Sequence, residues 1–256
     1  MKLYLVGVIS TLLGAAAIAA APAAAVTIGQ TTPAANYACA AEIDIQSGVA
    51  SGANFVVPAG SWLLTSWSTF GGFTGGTMSM LILRATSVPG YYTVVAESPV
   101  RTLTPGVLNT FAASVPVRGG DFLGFWSGDG AACATFTGSP ADVNPYSFGP
   151  EPAVGSIVQM SIAPGYLLNI SATLTSVADL LANLLADVTG KGPGTSLSDK
   201  VQLIQGYVAS NDKAAACTAL TDFISEVKAQ ADKLLTASDA ASLTAQATTI
   251  RATLGC

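Results

Sequence analysis

The sequence predicts an all-β jelly-roll-like sandwich followed by a small all-α helical bundle, and three observations predict it. From about residue 26 to 175, short runs rich in Val, Ile, Thr, Phe, Trp and Tyr alternate with Gly and Pro turns. Their spacing of roughly 8–12 residues is that of a sandwich or barrel. After Thr175 the apolar residues recur with a helical period instead. The four cysteines divide evenly, with Cys39 and Cys133 in the first half and Cys217 and Cys256 in the second.

Ahead of both domains stand residues 1–25, "MKLYLVGVISTLLGAAAIAAAPAAA". Lys2 supplies a positive start, Leu3 to Leu13 an apolar run, and the small residues around Pro22 a cleavage site after Ala25, the layout of a secretory signal peptide. A lipoprotein signal needs a cysteine at the cut, and the first here is Cys39. The expected location is therefore extracellular, with loose cell-surface association and no membrane contact after cleavage.

Ten runs read as strands: "ACAAEIDIQ", "NFVV", "SWLLTSWSTF", "TMSMLILRAT", "YYTVVAES", "GVLNTFAASVPV", "DFLGFW", "CATFT", "GSIVQMSIA" and "YLLNISATLT". Turns such as "GGFTGG", "SVPG", "RGGD" and "SGDG" separate them. Side chains alternate across a strand. In the last run Tyr166, Leu168, Ile170, Ala172 and Leu174 are therefore assigned to the core, and Asn169, Ser171 and Thr173 to solvent.

From residue 176 to 256 the signals are helical. "SVADLLANLLADVT" places Leu180, Leu181, Leu184, Leu185 and Val188 on one face, with Ser176 as N-cap and Asp179 three positions on. "GKGPGT" ends that helix. Ser196, Asn211 and Thr236 are read as caps of three further helices, and Gly255 as the final stop. Four short amphipathic helices make a small bundle.

Within this tail, "SLSDKV", "SNDKAAACTALTDFISEVKAQADKLLT" and "ATTIRATLGC" resemble the FIMAH-type module that ends many secreted bacterial proteins. The resemblance runs from Leu180 to Cys256 and is most specific from Leu220 to Gln230. It implies a helical appendage without chemistry of its own. Asp232 stands where that family more often has a glycine. The β half, through "FVVPAGSWLLTSWST", "YTVVAES" and "VPVRGGDFLGFW", resembles an uncharacterised module of secreted actinobacterial proteins. That resemblance implies a fold and a location.

Four cysteines allow three pairings. An oxidising destination favours disulfides, and the division between halves favours Cys39–Cys133 and Cys217–Cys256. A terminal cysteine in fourth place from the end would suggest prenylation, but Cys256 is last.

Composition narrows the chemistry. There is no histidine, which removes Ser-His-Asp and Cys-His catalysis and the usual histidine metal centres. The net charge is -5 and the ten Lys and Arg residues are scattered, so a nucleic-acid partner is not expected. "GxSxG", P-loop and dinucleotide fingerprints are absent from the sequence. Paired carboxylates remain, as glycoside hydrolysis uses. The candidates are Glu42, Asp44, Glu97, Asp121, Asp129, Asp142 and Glu151. Glu42 and Asp44 share one strand face, and read as the solvated side of "EIDIQ" against Ile43 and Ile45 inside. Asp121 and Asp129 read as turn formers, or, joined by Glu97 or Asp142, as ligands of a Ca²⁺ ion. No other cofactor is expected. Trp62, Trp67, Trp126, Tyr91 and Tyr92 are candidates for stacking on sugar rings. Trp62 and Trp67 fall on opposite faces of an unbroken strand, so at least one belongs to the core. The sequence thus points to a secreted, non-catalytic binding or surface protein whose partner is a polysaccharide, a cell-wall glycan or another surface protein. A carboxylate-pair glycan hydrolase is the alternative.

Overall fold

A computed structural model of the protein describes residues 25–256 apart from Pro33, Ser51 and Thr74. The signal-peptide expectation rests on residues outside those described. Strands come first in the chain: β1 (Val26–Gln30), β2 (Tyr37–Cys39), β3 (Glu42–Ile45), β4 (Ser61–Phe70), β5 (Thr77–Ala85), β6 (Tyr91–Glu97), β7 (Arg101–Thr102) and β8 (Leu108–Arg118). They continue with β9 (Phe122–Ser127), β10 (Ala131–Phe136), β11 (Val143–Phe148), β12 (Ile157–Gln159), β13 (Ser161–Pro164), β14 (Tyr166–Leu168) and β15 (Ile170–Ser176). Helices α1 (Val177–Val188), α2 (Ser196–Ala209), α3 (Lys213–Gln230) and α4 (Ala237–Leu254) follow. The sandwich followed by a helical bundle is therefore the architecture of the chain.

The strands form three antiparallel sheets. One has the order β1-β15-β4-β8 and a small one β14-β10-β2. The largest runs β12-β6-β5-β9-β3-β11-β13, with β7 added to β5. Strands that follow one another, β4 to β5 and β8 to β9, cross from the first sheet to the largest, which wraps the chain around a shared core. The largest sheet is strongly curled. Its opposite edges, β12 and β13, are separated in the chain by Met160 alone, and one residue spans only about 7 Å between its neighbours. The edges must meet there.

This curl creates two cores. Outside it, Ile28, Leu64, Trp67, Met80, Phe125 and Leu174 join the largest sheet to the other two. Inside it, Ile43, Ile45, Leu81, Leu83, Val94 and Met160 fill the concavity. In β5, Met78, Met80 and Ile82 serve the first core while Leu81 and Leu83 serve the second. Burial on both faces explains why "MSMLIL" reads as a continuous apolar run. Gly124 also sits where the curl is tight, and a Cβ there would strike the Asp44 carbonyl oxygen and the Ile45 side chain.

Several local expectations are corrected. "ACAAEIDIQ" is not one strand, because Ala41 adopts a left-handed φ of 50° and sends β2 and β3 into different sheets. "YLLNISATLT" divides at Asn169, which is fully buried rather than solvated. Its amide donates to the Phe70 and Ala132 carbonyls and accepts from Thr32 N–H, which satisfies the backbone where the chain changes sheet. β4 carries a bulge at Thr65, seen as an extra residue opposite the Thr173–Leu174 step of β15, and β8 answers with an extra residue of its own at the same level. An extra residue reverses the alternation, so Trp62, Leu64 and Trp67 all turn towards the core instead of lying on opposite faces.

In the bundle, Ser176 caps α1 by accepting from Asp179 N–H, and Thr236 caps α4 in the same way. The second and third caps lie one residue away from their expected places. Thr195 precedes α2, and Asp212 caps α3 through Ala215 N–H while Asn211 turns left-handed. Asp232 adopts a left-handed φ of 59°. This is the conformation a glycine would take, and aspartate tolerates it better than most residues. Leu181, Leu184, Leu220, Phe223, Leu243 and Ile250 form the bundle core. The two disulfides join Cys39 to Cys133 and Cys217 to Cys256, each with Cα atoms 5.7 Å apart. The pairing by halves is the one observed.

Candidate functional site

The strand break at Ala41 determines which way the next residues point. Because β3 starts afresh in the curled sheet, its odd residues Ile43 and Ile45 enter the concavity. Its even residues Glu42 and Asp44 then face outward, on the side of Phe125, with which Asp44 is in register on β9. That side is not solvent. The small β14-β10-β2 sheet lies over it, and both carboxyls are buried, Asp44 to 1% exposure and Glu42 to 5%. The solvated reading of these two residues is therefore corrected.

β11 supplies the rest of the floor. Tyr146 pairs with Asp44 and Phe148 with Glu42, so the two rings stand beside the two carboxyls on the same face. Asn144, one pleat further, donates from Nδ2 to Asp44 Oδ1 at 3.1 Å and to the Ile45 carbonyl at 2.9 Å. Across the seam, β2 and β14 contribute Tyr37 and Tyr166, whose rings meet edge to face with centroids 4.9 Å apart. Phe136 flanks Tyr166 at 5.2 Å. The result is a cavity of about 190 Å³ between two aromatic walls. The walls reach the surface: Phe148 is 68% exposed, Phe136 59% and Tyr37 39%.

One device braces a wall of the cavity and another ties the seam. Cys39 lines the cavity and is bonded to Cys133 on the adjacent strand, fixing the wall that carries Tyr37. Gln46 bridges the sheets, since its Nε2 donates to the Tyr166 carbonyl at 3.0 Å and its Oε1 accepts from Leu168 N–H at 2.9 Å.

The electrostatics follow from burial. Desolvation pushes the Asp44 carboxyl well above its ordinary range, and the neighbouring Glu42 adds to this. The Asn144 hydrogen bond opposes it only in part. Burial also raises Glu42, and burial followed by the Glu42 charge raises the Tyr37 phenol. Asp44 Oδ2 has no hydrogen-bond partner among the described residues.

A stability dependence results. With its folded value raised, Asp44 binds a proton more tightly in the native than in the unfolded state. Stability therefore falls as pH rises from the unfolded value near 4 through the raised folded value, and is flat beyond. Asp44→Asn should reduce that slope to the part that the raised Glu42 carboxyl contributes, and leave the protein more stable than wild type at neutral pH. Urea melts across the acid-to-neutral range check this, and an unchanged slope in the variant overturns it.

The sequence-predicted site residues lie elsewhere. Trp67 is 1% exposed, against Phe111 in the core, and cannot meet a sugar. Trp62 is half-buried, donates from Nε1 to the Pro58 carbonyl, and lines a separate cavity of about 260 Å³ between the sandwich and the starts of α1 and α3. Trp126 donates to the Gly149 carbonyl and, with Tyr92, packs against the core inside the curl. Tyr91 is half-buried beside it on β6. These five do not form one platform. The carboxylates considered for calcium have protein partners of their own. Asp121 is fully buried with both oxygens engaged, Oδ1 by Arg84 Nε at 2.7 Å and Oδ2 by Arg84 Nη2 and Arg118 N–H. Asp129 accepts from Thr77, and Asp142 from Ala50 N–H and Thr137. Among the described residues the only metal-type cluster is Cys39, Glu42 and Asp44, and the sulfur of Cys39 is already spent in a disulfide.

Sequence reasoning missed the aromatic walls. Tyr146 and Phe148 lie on β11, which "VNPYSF" hides because Pro145 argues against a central strand. The recoverable signal was the polar alternation of Glu42, Asp44 and Gln46 in a strand whose odd positions are both isoleucine. No family model matches the chain, and no curated protein matches it.

Proposed function

We propose that the protein is a secreted, non-catalytic binding protein that holds a terminal unit of a glycan in the cavity between β2, β14, β3 and β11. The helical bundle serves as its disulfide-closed spacer or wall-association unit. The observation that carries this reading is an acidic floor set between two aromatic walls. Sugar rings present apolar C–H faces to aromatic rings and hydroxyls to carboxyls, so they need both at once. The cavity, about 190 Å³, falls below the ~300–1,000 Å³ of sites for drug-sized ligands. It suits a single ring at a chain end.

A glycan hydrolase is the second reading, favoured by one observation. Glu42 and Asp44 oxygens lie within 4.8 Å of each other, close to the ~5–5.5 Å of retaining glycosidases. Two features favour binding instead. Both carboxyls stand on one strand and hence on one side of any bound sugar. Burial also moves both in the same direction, whereas an acid–base pair needs environments that push its members apart.

A glycan array followed by calorimetry tests the proposal. Tyr37→Leu, which keeps bulk but loses the ring, should weaken binding roughly two- to tenfold, the equivalent of the ~0.5–1.5 kcal/mol of one aromatic contact. Binding to no glycan would overturn the proposal. Release of reducing ends, abolished by Glu42→Gln, would establish the second reading in its place.

A further inference from the structure

We infer that the group received by this cavity is cationic, a sugar carrying a free ammonium substituent such as a glucosamine unit. The inference rests on the glycan reading above and adds the charge of the ligand.

The argument compares two buried carboxylates of the same molecule. Asp121 is fully buried, but a bidentate arginine and a backbone N–H complete it. That is how buried charge is normally tolerated. Asp44 is as deeply buried and has one amide on one oxygen and nothing on the other. The second carboxyl, Glu42, lies within 4.8 Å and carries the same sign. Among the described residues no Lys or Arg lines the cavity, and the ion pairs found there involve neither acid. The floor thus has two carboxyls and no counter-charge, which is costly unless something else supplies it.

The walls decide what that is. A divalent metal needs six or more oxygen ligands or waters, and the walls add to the two carboxyls mainly aromatic carbon, with only the neutral phenol oxygens of Tyr37, Tyr146 and Tyr166. An organic ammonium needs two things the cavity has. Its N–H groups donate to carboxylate oxygens, including the unpartnered Asp44 Oδ2, and its charge is attracted to the faces of Tyr37, Tyr146, Tyr166 and Phe148. The remaining sugar ring then stacks on the same walls.

A pH signature accompanies this charge. The titratable groups facing Asp44 from the packed elements are Glu42 of its own strand, Tyr37 of β2, Tyr146 of β11 and Tyr166 of β14. In the empty cavity burial favours the protonated acids. A cation binds their ionised forms, so binding expels protons and strengthens as pH rises from acid to neutral, then weakens once the ammonium itself deprotonates.

Calorimetry of the whole protein with four probes tests the inference: length-matched oligomers of glucosamine, of N-acetylglucosamine and of glucose, and methylammonium, at about pH 4.5 and about pH 6, where the amino sugar stays charged. Glucosamine oligomers should bind at least about tenfold more tightly than the neutral two at the higher pH. That preference should shrink at the lower pH and disappear in Glu42→Gln and in Asp44→Asn, both checked for native circular dichroism. Equal affinity for all three oligomers would overturn the cationic assignment and leave the glycan reading standing. Binding of methylammonium with no sugar bound would do the reverse. Binding of no probe at either pH would overturn both.

Discussion

Replacing Cys256 with serine lowers the stability of the helical bundle by about 4 kcal/mol. The disulfide to Cys217 closes a loop with a sequence separation of 39, and the chain-entropy model gives about that much for a loop of this length. In a larger domain the loss would be tolerable. Here the bundle occupies only the stretch from Val177 onward, and a single core of that size rarely supplies more than about 3–5 kcal/mol. The geometry reinforces the point. Gly255 takes a left-handed φ of 75° and closes α4 through backbone bonds to Ala252 and Arg251, which brings Cys256 back towards α3. Without the covalent bond this last turn keeps those bonds and the packing of Leu254 against the bundle core. The expected measurement is a urea melt followed by far-ultraviolet circular dichroism, in which the helical signal of the variant is lost at a lower concentration than that of the wild type. A coincident single transition at the wild-type midpoint overturns the prediction.

Trp67→Ala costs the sandwich about 3 kcal/mol or more and leaves ligand affinity in the folded protein unchanged. The side chain fills the centre of the main core between β8 and β15, facing Phe111 at 4.6 Å. Truncating a buried aromatic costs about 3–5 kcal/mol. The lower end applies because its Nε1 is buried without a partner, so the alanine variant also sheds an unsatisfied donor. Trp67→Phe sheds the same donor and leaves a smaller cavity, so its cost should fall below what the lost volume alone suggests. A tryptophan in a sugar platform would behave in the opposite way, losing binding with its stability intact. Paired measurements of melting and of binding separate the two.

Sequence periodicity was enough for the two architectures, the disulfide pairing and most of the bundle. Helical signals are local: Ser176, Thr236 and Gly255 act within one turn of themselves, so their roles are legible without knowledge of the fold. The candidate site depends on events that periodicity does not record. A left-handed alanine at position 41 splits one apparent strand and sends its halves to different sheets. A single extra residue at Thr65 turns Trp67 inward. Both are one-residue irregularities with whole-strand effects, because side-chain direction in a strand has period two. The burial of Glu42 and Asp44 was hidden for a further reason. Alternation shows that two faces differ, yet it does not show that a third sheet will cover the polar one.

The curl of the largest sheet has a consequence for the protein's life among other proteins at high local concentration. An open sheet ends in rows of free N–H and C=O groups, which recruit strands from neighbouring chains and start aggregation. In this sheet the two would-be edges are successive stretches of one strand-like segment on either side of Met160, so among the described residues each edge already adjoins the other. The cost of that closure is carried by short β12 and β13, where exposed Ile157 and Ile162 would otherwise be obvious sites of self-association. Among the described residues the longest strand at a sheet edge is β8, in the four-stranded sheet. Any tendency of this protein to polymerise by strand exchange should begin there.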